Sequence, residues 1–144
     1  MTTAHTPFIQ AALDLAYKNV DEGGRPFGSV VVRDQEIVAQ AVNEAHICGD
    51  PTTHAEYLAI RHAAKALDTS DLSDCVVYAS GQPCPFCVAA MGLYGIKQAY
   101  YAYTVEQWRA IVVPPHLDPV QSTPLTVDGE TSLYSYWQSR EADK

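Results

Sequence analysis

No apolar run in this chain approaches the ~20 residues that a membrane-spanning helix needs. The first residues carry neither the basic stretch nor the apolar stretch of a signal peptide, so a cytoplasmic protein without a membrane partner is expected. Positive charge is scarce and scattered. Nine Lys and Arg stand against 17 Asp and Glu, for a formal net charge of −8, and no two basic residues are adjacent. A protein that neutralises phosphates needs clustered Lys and Arg, so no nucleic-acid partner is expected. Cysteine is sparse too. Cys48, Cys75, Cys84 and Cys87 sit at uneven spacings, and with no export signal they do not read as a disulfide framework. Internal repeats and low-complexity tracts are missing as well.

What is present suffices for one domain. A chain of 144 residues, 47% hydrophobic and 18% charged, can bury about two thirds of its unfolded surface without staples. Thr6-Pro7 reads as a cap followed by the first helical position. Phe8, Ile9, Ala12, Leu13, Ala16, Tyr17 and Val20 then recur at helical spacing until Gly23-Gly24. "GSVVVR" and "IVAQAV" flank the turn "DQE" and predict a hairpin. A polar loop over 43–53 leads into an amphipathic helix within "PTTHAEYLAIRHAAKAL". "CVVYAS" and "KQAYYAY" read as strands, "PFCVAAMGLYG", "VEQWRAI" and "SLYSYWQS" as helices. The proline-rich, polar stretch 113–131 reads as extended chain. This order predicts a three-layer α/β domain with a mixed sheet over 1–144.

The opening turn of "PTTHAEYL" holds a histidine and a carboxylate, and alone it has an ordinary explanation. Thr52 or Thr53 would cap the helix and its dipole would favour Glu56. The stretch "QPCPFC" changes that. With Pro85 at the first helical position, Cys84 falls at the N-cap and Cys87 at the third helical residue, positions whose side chains converge. A helix start also favours thiolate. Two sulfurs and His54 would leave one tetrahedral position open, as a catalytic zinc requires. Two other readings remain at this point: a redox dithiol, and a structural zinc with His46 or His62 as fourth ligand. Neither gives Glu56 a task. Cys75, opening an apolar run, reads as a core thiol.

"HAE" followed by "PCPFC", thirty residues after its histidine, resembles the cytidine-deaminase-like zinc hydrolases, whose signature is H-x-E…P-C-x-x-C. The resemblance covers roughly 6–110 and includes "GRPFGSVVV" and "DPTTHAEYLAIRHA". Within that superfamily the chain is similar to the guanine and guanosine deaminases. The resemblance implies a three-layer α/β/α fold with a central mixed sheet of about five strands. It implies one Zn²⁺ per chain on His54, Cys84 and Cys87, with Glu56 as proton shuttle. Zinc makes water nucleophilic near neutral pH. Glu56 would carry a proton from that water to a ring nitrogen and the leaving amine, and the backbone N–H groups of Glu56 and Cys84 would help orient the water. Phe27, Asn43, Ala55 and Pro83 match substrate-binding positions: Phe27 would stack on a ring, and Asn43 would read its edge.

Three features depart from the guanine-type pattern. Gly81-Gln82 stands where those enzymes have Cys-Glu. Their second acidic residue has no secure counterpart, with Glu106, Asp118 and Asp128 as candidates. The segment after Val113 matches poorly. The expected function is therefore hydrolytic deamination of a free aminopurine or related small heterocyclic amine, guanine first. The alternatives are a cytosine or nucleoside deaminase, a tRNA adenosine deaminase, and a non-catalytic zinc-stabilised binding module. The family also implies a homodimer, with the segment 114–144 docking on its own core or swapping onto a partner subunit. Tyr134, Tyr136 and Trp137 are too many aromatics for a free tail.

Overall fold

In the computed structural model, which describes residues 4–112, 119–126 and 133–144, the valine-rich segment "GSVVVR" forms the buried centre of a sheet. This strand, β1 (Gly28–Arg33), follows helix α1 (Thr6–Asp21). The chain continues through β2 (Glu36–Val42), α2 (Ala45–Cys48), α3 (Ala55–Leu67), β3 (Val76–Gly81), α4 (Pro85–Leu93), β4 (Ala99–Tyr103) and α5 (Val105–Arg109). Helix α6 (Leu133–Ala142) closes the sequence. The chain divides into two compact units, Met1–Pro114 and Pro115–Lys144. The second unit contains α6, whose residues are exposed, and its described residues 119–126 form no regular element.

The sheet order is β2-β1-β3-β4. β1 runs antiparallel to β2 and to β3, with Val31 opposite Ala39 and Val77. β3 and β4 are parallel, with Tyr78 opposite Tyr100. The sheet is thus mixed, with four strands among the described residues, close to the five or so expected. Alternation along β1 separates two cores. Val30 and Val32 join Phe8 and Tyr78 on the α1 side. Val31 joins Val77, Leu58, Ile60 and Met91 on the side of α3 and α4. A helix layer on each face of one sheet is the expected three-layer arrangement.

Three local expectations change. Helix α1 starts at Thr6 itself, with His5 at the cap position. Its buried residues are Phe8, Ala12, Ala16 and Asn19, while Tyr17 is 66% and Val20 49% exposed. The helix approaches β1 so closely that a side chain on Gly28 would meet the Ala12 carbonyl oxygen at 2.5 Å. The buried stripe is therefore narrow. Lastly, the polar loop 43–53 contains the single-turn helix α2, which is too short for a hydrophobic period to reveal.

The topology decides where a site can form. Since β1 is antiparallel to both neighbours, its beginning lies at the same sheet edge as the ends of β2 and β3. The end of β4 lies there too. Phe27 before β1, Asn43 after β2, Pro83 and Cys84 after β3 and α5 after β4 are all delivered to that one edge.

Candidate metal centre

Two helix starts converge at this edge. His54 is the N-cap of α3 and Cys84 the N-cap of α4, both with extended backbone (ψ 150° and 166°). An N-cap side chain ordinarily accepts a hydrogen bond from its own first turn. Neither does so here. Thr52 and Thr53 stand outside the cap position; Thr53 donates through Oγ1 to the Asp50 carbonyl at 2.6 Å, within the preceding turn. Pro85 occupies the first helical position and Cys87 the third, as the sequence predicts. His54 Nδ1 lies 3.5 Å from Cys84 Sγ and 3.5 Å from Cys87 Sγ.

The three donor atoms all lie within 4.8 Å of one another. A tetrahedral zinc with Zn–N near ~2.0–2.1 Å and Zn–S near ~2.3 Å places nitrogen and sulfur ligands about 3.5–3.6 Å apart. The observed spacing matches, and one imidazole with two thiols is a zinc donor set. The trio therefore fits one Zn²⁺. Among the described residues no fourth His, Cys, Asp or Glu joins it. His62 Nδ1 instead lies 3.4 Å from the Gln40 carbonyl, and His46 packs beside Gly24.

Without a cation the thiol pair shares its protons unequally. The Cys87 thiol and the His54 ring hydrogen-bond to Cys84 and hold its thiol down, at about 4. Cys87 is pushed up because it keeps the proton that Cys84 accepts, and because it is buried. Contact with Cys84 raises His54 above its ordinary value. Of the two sulfurs, Cys84 is thus the one that gives up its proton first, with the His54 ring beside it. Glu56, in the first turn of α3, is buried at 7% exposure, and burial pushes its carboxyl up to about 7. It touches the Cys87 thiol and lies in the field of Cys84 and His54.

Around this centre the backbone ties the remaining sequence-predicted residues together. Asn43 N donates to the Phe27 carbonyl at 3.2 Å, and Glu44 N to the Thr53 carbonyl at 3.0 Å. The half-buried Phe27 and the buried Asn43 are thus joined to each other and to the residue before His54. Asn43 Oδ1 accepts from Ala45 N at 3.1 Å. The amide oxygen is therefore engaged locally, by the first residue of α2. Ala55, buried, is the first residue of α3, and Pro83 precedes Cys84. Of the candidate second acids, Glu106 is exposed in the first turn of α5. Asp118 and Asp128 lie outside the described residues.

Three supporting residues escaped the sequence reading. Asn19 Nδ2 donates to the Arg25 carbonyl (2.8 Å) and to the Asn43 carbonyl (3.0 Å), fixing Asn43 from α1. Ser80 Oγ accepts from Gly28 N at 3.0 Å. Trp108 of α5 meets Phe27 edge-on, with ring centroids 5.4 Å apart at 84°. An Asn on an apolar helical stripe is the one of these signals visible beforehand.

Comparison with known proteins points the same way. Residues 2–103 match the family model of the cytidine and deoxycytidylate deaminase zinc-binding region. The guanine deaminase of Bacillus subtilis is 42% identical over 99 residues, covering 68% of this chain and 64% of that protein. A tRNA-specific adenosine deaminase of Aquifex aeolicus is 35% identical over 95 residues, 66% of this chain and 63% of its own length. The matched stretch thus spans just under two thirds of these relatives. The X-ray structure of the Bacillus subtilis guanine deaminase superposes with a TM-score of 0.82 and 32% identity, over 96% of this chain and 95% of that one.

Proposed function

We propose that this chain, which belongs to the cytidine and deoxycytidylate deaminase zinc-binding family, is a zinc-dependent hydrolytic deaminase of a free aminopurine, with guanine as the first substrate. The reaction is guanine plus water to xanthine plus ammonia. The observation that carries this reading is the buried Glu56 carboxyl beside the His54, Cys84 and Cys87 donors. A purely structural zinc gains nothing from it, whereas hydrolysis needs a proton carrier there.

His54, Cys84 and Cys87 would hold the ion, which when bound supplies a Lewis acid that makes water nucleophilic near neutral pH. Glu56 takes a proton from the attacking water. It delivers that proton to the ring nitrogen, then takes the second from the hydroxyl now on the ring carbon and passes it to the departing amine, so a carbonyl replaces the amino group and ammonia leaves. A carboxyl raised by burial suits a group that must both accept and donate. Phe27 offers its face to a planar ring. The Asn43 amide pairs with the edge of the ring, and Ala55 and Pro83 form the adjoining wall. The net charge of −8 favours a neutral small molecule over a polyanion. The working form in this reading is a cytoplasmic homodimer, whose interface covers the aromatic residues exposed on α6.

The test is ammonia release from guanine, adenine, cytosine, their nucleosides and a tRNA anticodon stem, using protein whose zinc content has been measured. Turnover of free bases, guanine foremost, is expected at about one zinc per chain. Turnover of the tRNA stem alone would overturn the substrate class, and a zinc content near zero would overturn the metal assignment.

A further inference from the structure

Gly81 and Gln82 depart from the Cys-Glu of the guanine-type pattern, and the structure gives both residues a definite setting. Gln82 N donates to the Tyr103 carbonyl at 2.7 Å, carrying the β3–β4 pairing one residue past Gly81↔Tyr103. Its side-chain Oε1 accepts from Val105 N at 3.0 Å. Val105 is the first residue of α5, so this bond satisfies one of the donors that a helix start leaves open. Thr104 and Gln107 complete a capping box on the same turn. A helix of five residues cannot hold itself, and these anchors set its direction.

That direction brings Trp108 edge-on to Phe27. The two rings meet over Gly81: a Cβ there would lie 3.1 Å from Phe27 Cε1 and 3.1 Å from Trp108 Cδ1. Behind the rings lies a mainly apolar cavity of about 370 Å³, lined also by Leu13, Ala16, Tyr17 and Val20. Phe27 therefore has room to turn away if Trp108 is removed. Trp108 Nε1 is buried without a hydrogen-bond partner among the described residues. The indole is held by packing and by the helix start, not by its N–H.

We propose that Gln82 and Trp108 are positioning residues for substrate: Gln82 pins the start of α5, α5 sets Trp108 against Phe27, and that contact fixes the plane on which the base stacks. The proposal rests on the base-deaminase reading above. Trp108→Ala raises KM for the deaminated base by about tenfold, the size of a lost apolar pocket contact. It leaves kcat within about twofold and zinc content unchanged, and it narrows the preference between bases. Trp108→Phe recovers part of the loss. Gln82→Ala shifts KM in the same direction, while Gln82→Glu, which keeps an acceptor for Val105 N–H, stays near wild type. Wild-type KM and base preference in Trp108→Ala, or equal values for the Ala and Glu variants at Gln82, would overturn the proposal.

A second readout needs no turnover. The chain has two tryptophans, so the Trp137→Phe protein reports Trp108 alone. Phe27→Ala and Gln82→Ala are expected to shift its emission to the red, and Gln82→Glu to leave it in place. Emission unmoved by both alanine variants would overturn the proposal. If the wild-type protein deaminates no free base, the substrate reading falls, and these spectra still decide whether Gln82 and Trp108 hold Phe27.

Discussion

Glu56 and Cys75 are both buried acids, yet burial prepares one for exchange of a proton and the other for keeping it. Glu56 borders the His54, Cys84 and Cys87 donors, and its carboxyl is pushed to about 7. Glu56→Gln keeps size and hydrogen bonding while removing proton transfer. We expect full zinc content by elemental analysis and a loss of ~10²–10⁴-fold or more in ammonia release. Turnover near the wild-type rate would contradict the shuttle role. Cys75 is pushed up to about 11, first by burial and then by the Asp74 carboxylate 3.6 Å away. Between its ordinary value of 9.0 and about 11, the folded chain keeps a proton that the unfolded chain has released. The stability this contributes is complete below pH 9 and is lost as pH rises through 11. Thermal melts between pH 8 and 11 should therefore fall more steeply for the wild type than for Cys75→Ala.

Among the elements, the β1–β2 hairpin carries a local cost. Asp34 and Gln35 link the strands with φ of 52° and 65°, the left-handed values that a two-residue type I′ turn demands of both residues. Asp tolerates this region better than Gln, which has no short side chain to compensate. Gln35→Gly should raise stability by about 1 kcal/mol, or about 2–4 °C in Tm, with activity unchanged. A lower melting temperature would show that the Gln35 side chain contributes contacts of its own. The sequence located this turn because a short run of polar residues, Asp34 to Glu36, interrupts two apolar runs. It also located Cys84 at the N-cap and Cys87 in the first turn of α4, because Pro85 can occupy few helical positions besides the first. Other features depend on partners distant in the chain. The burial of Asn19 follows from carbonyls at Arg25 and Asn43, and the role of Trp108 from Phe27. The exposure of Tyr17 and Val20 depends on how narrow a stripe of α1 the sheet covers, which periodicity does not state. Helix α2 is a single turn held by the Asn43 amide, without an apolar pattern to betray it.

For the whole molecule, the proposed dimer gives the C-terminal unit a task. Helix α6 leaves Leu133, Tyr134, Tyr136 and Trp137 exposed, an aromatic group that a partner surface would cover. Light scattering of the intact protein should give twice the 15.7 kDa chain mass, and truncation after Leu125 should give monomer with reduced turnover. A truncated dimer of full activity would remove this role. The connectivity of the metal centre also bears on synthesis. His54 and Cys84 are thirty residues apart, with α3 and β3 between them. At ~5–20 residues per second, a ribosome needs about 1.5–6 s to translate that interval. The hairpin and α3 can begin to condense while only one of the three donors has emerged. A nascent chain that ends at Gln82 contains His54 but neither Cys84 nor Cys87, so the three-donor set is complete only after Cys87 leaves the exit tunnel. Every residue of β1, β2, α3 and β3 is thus synthesised before the donor set that takes the ion is whole.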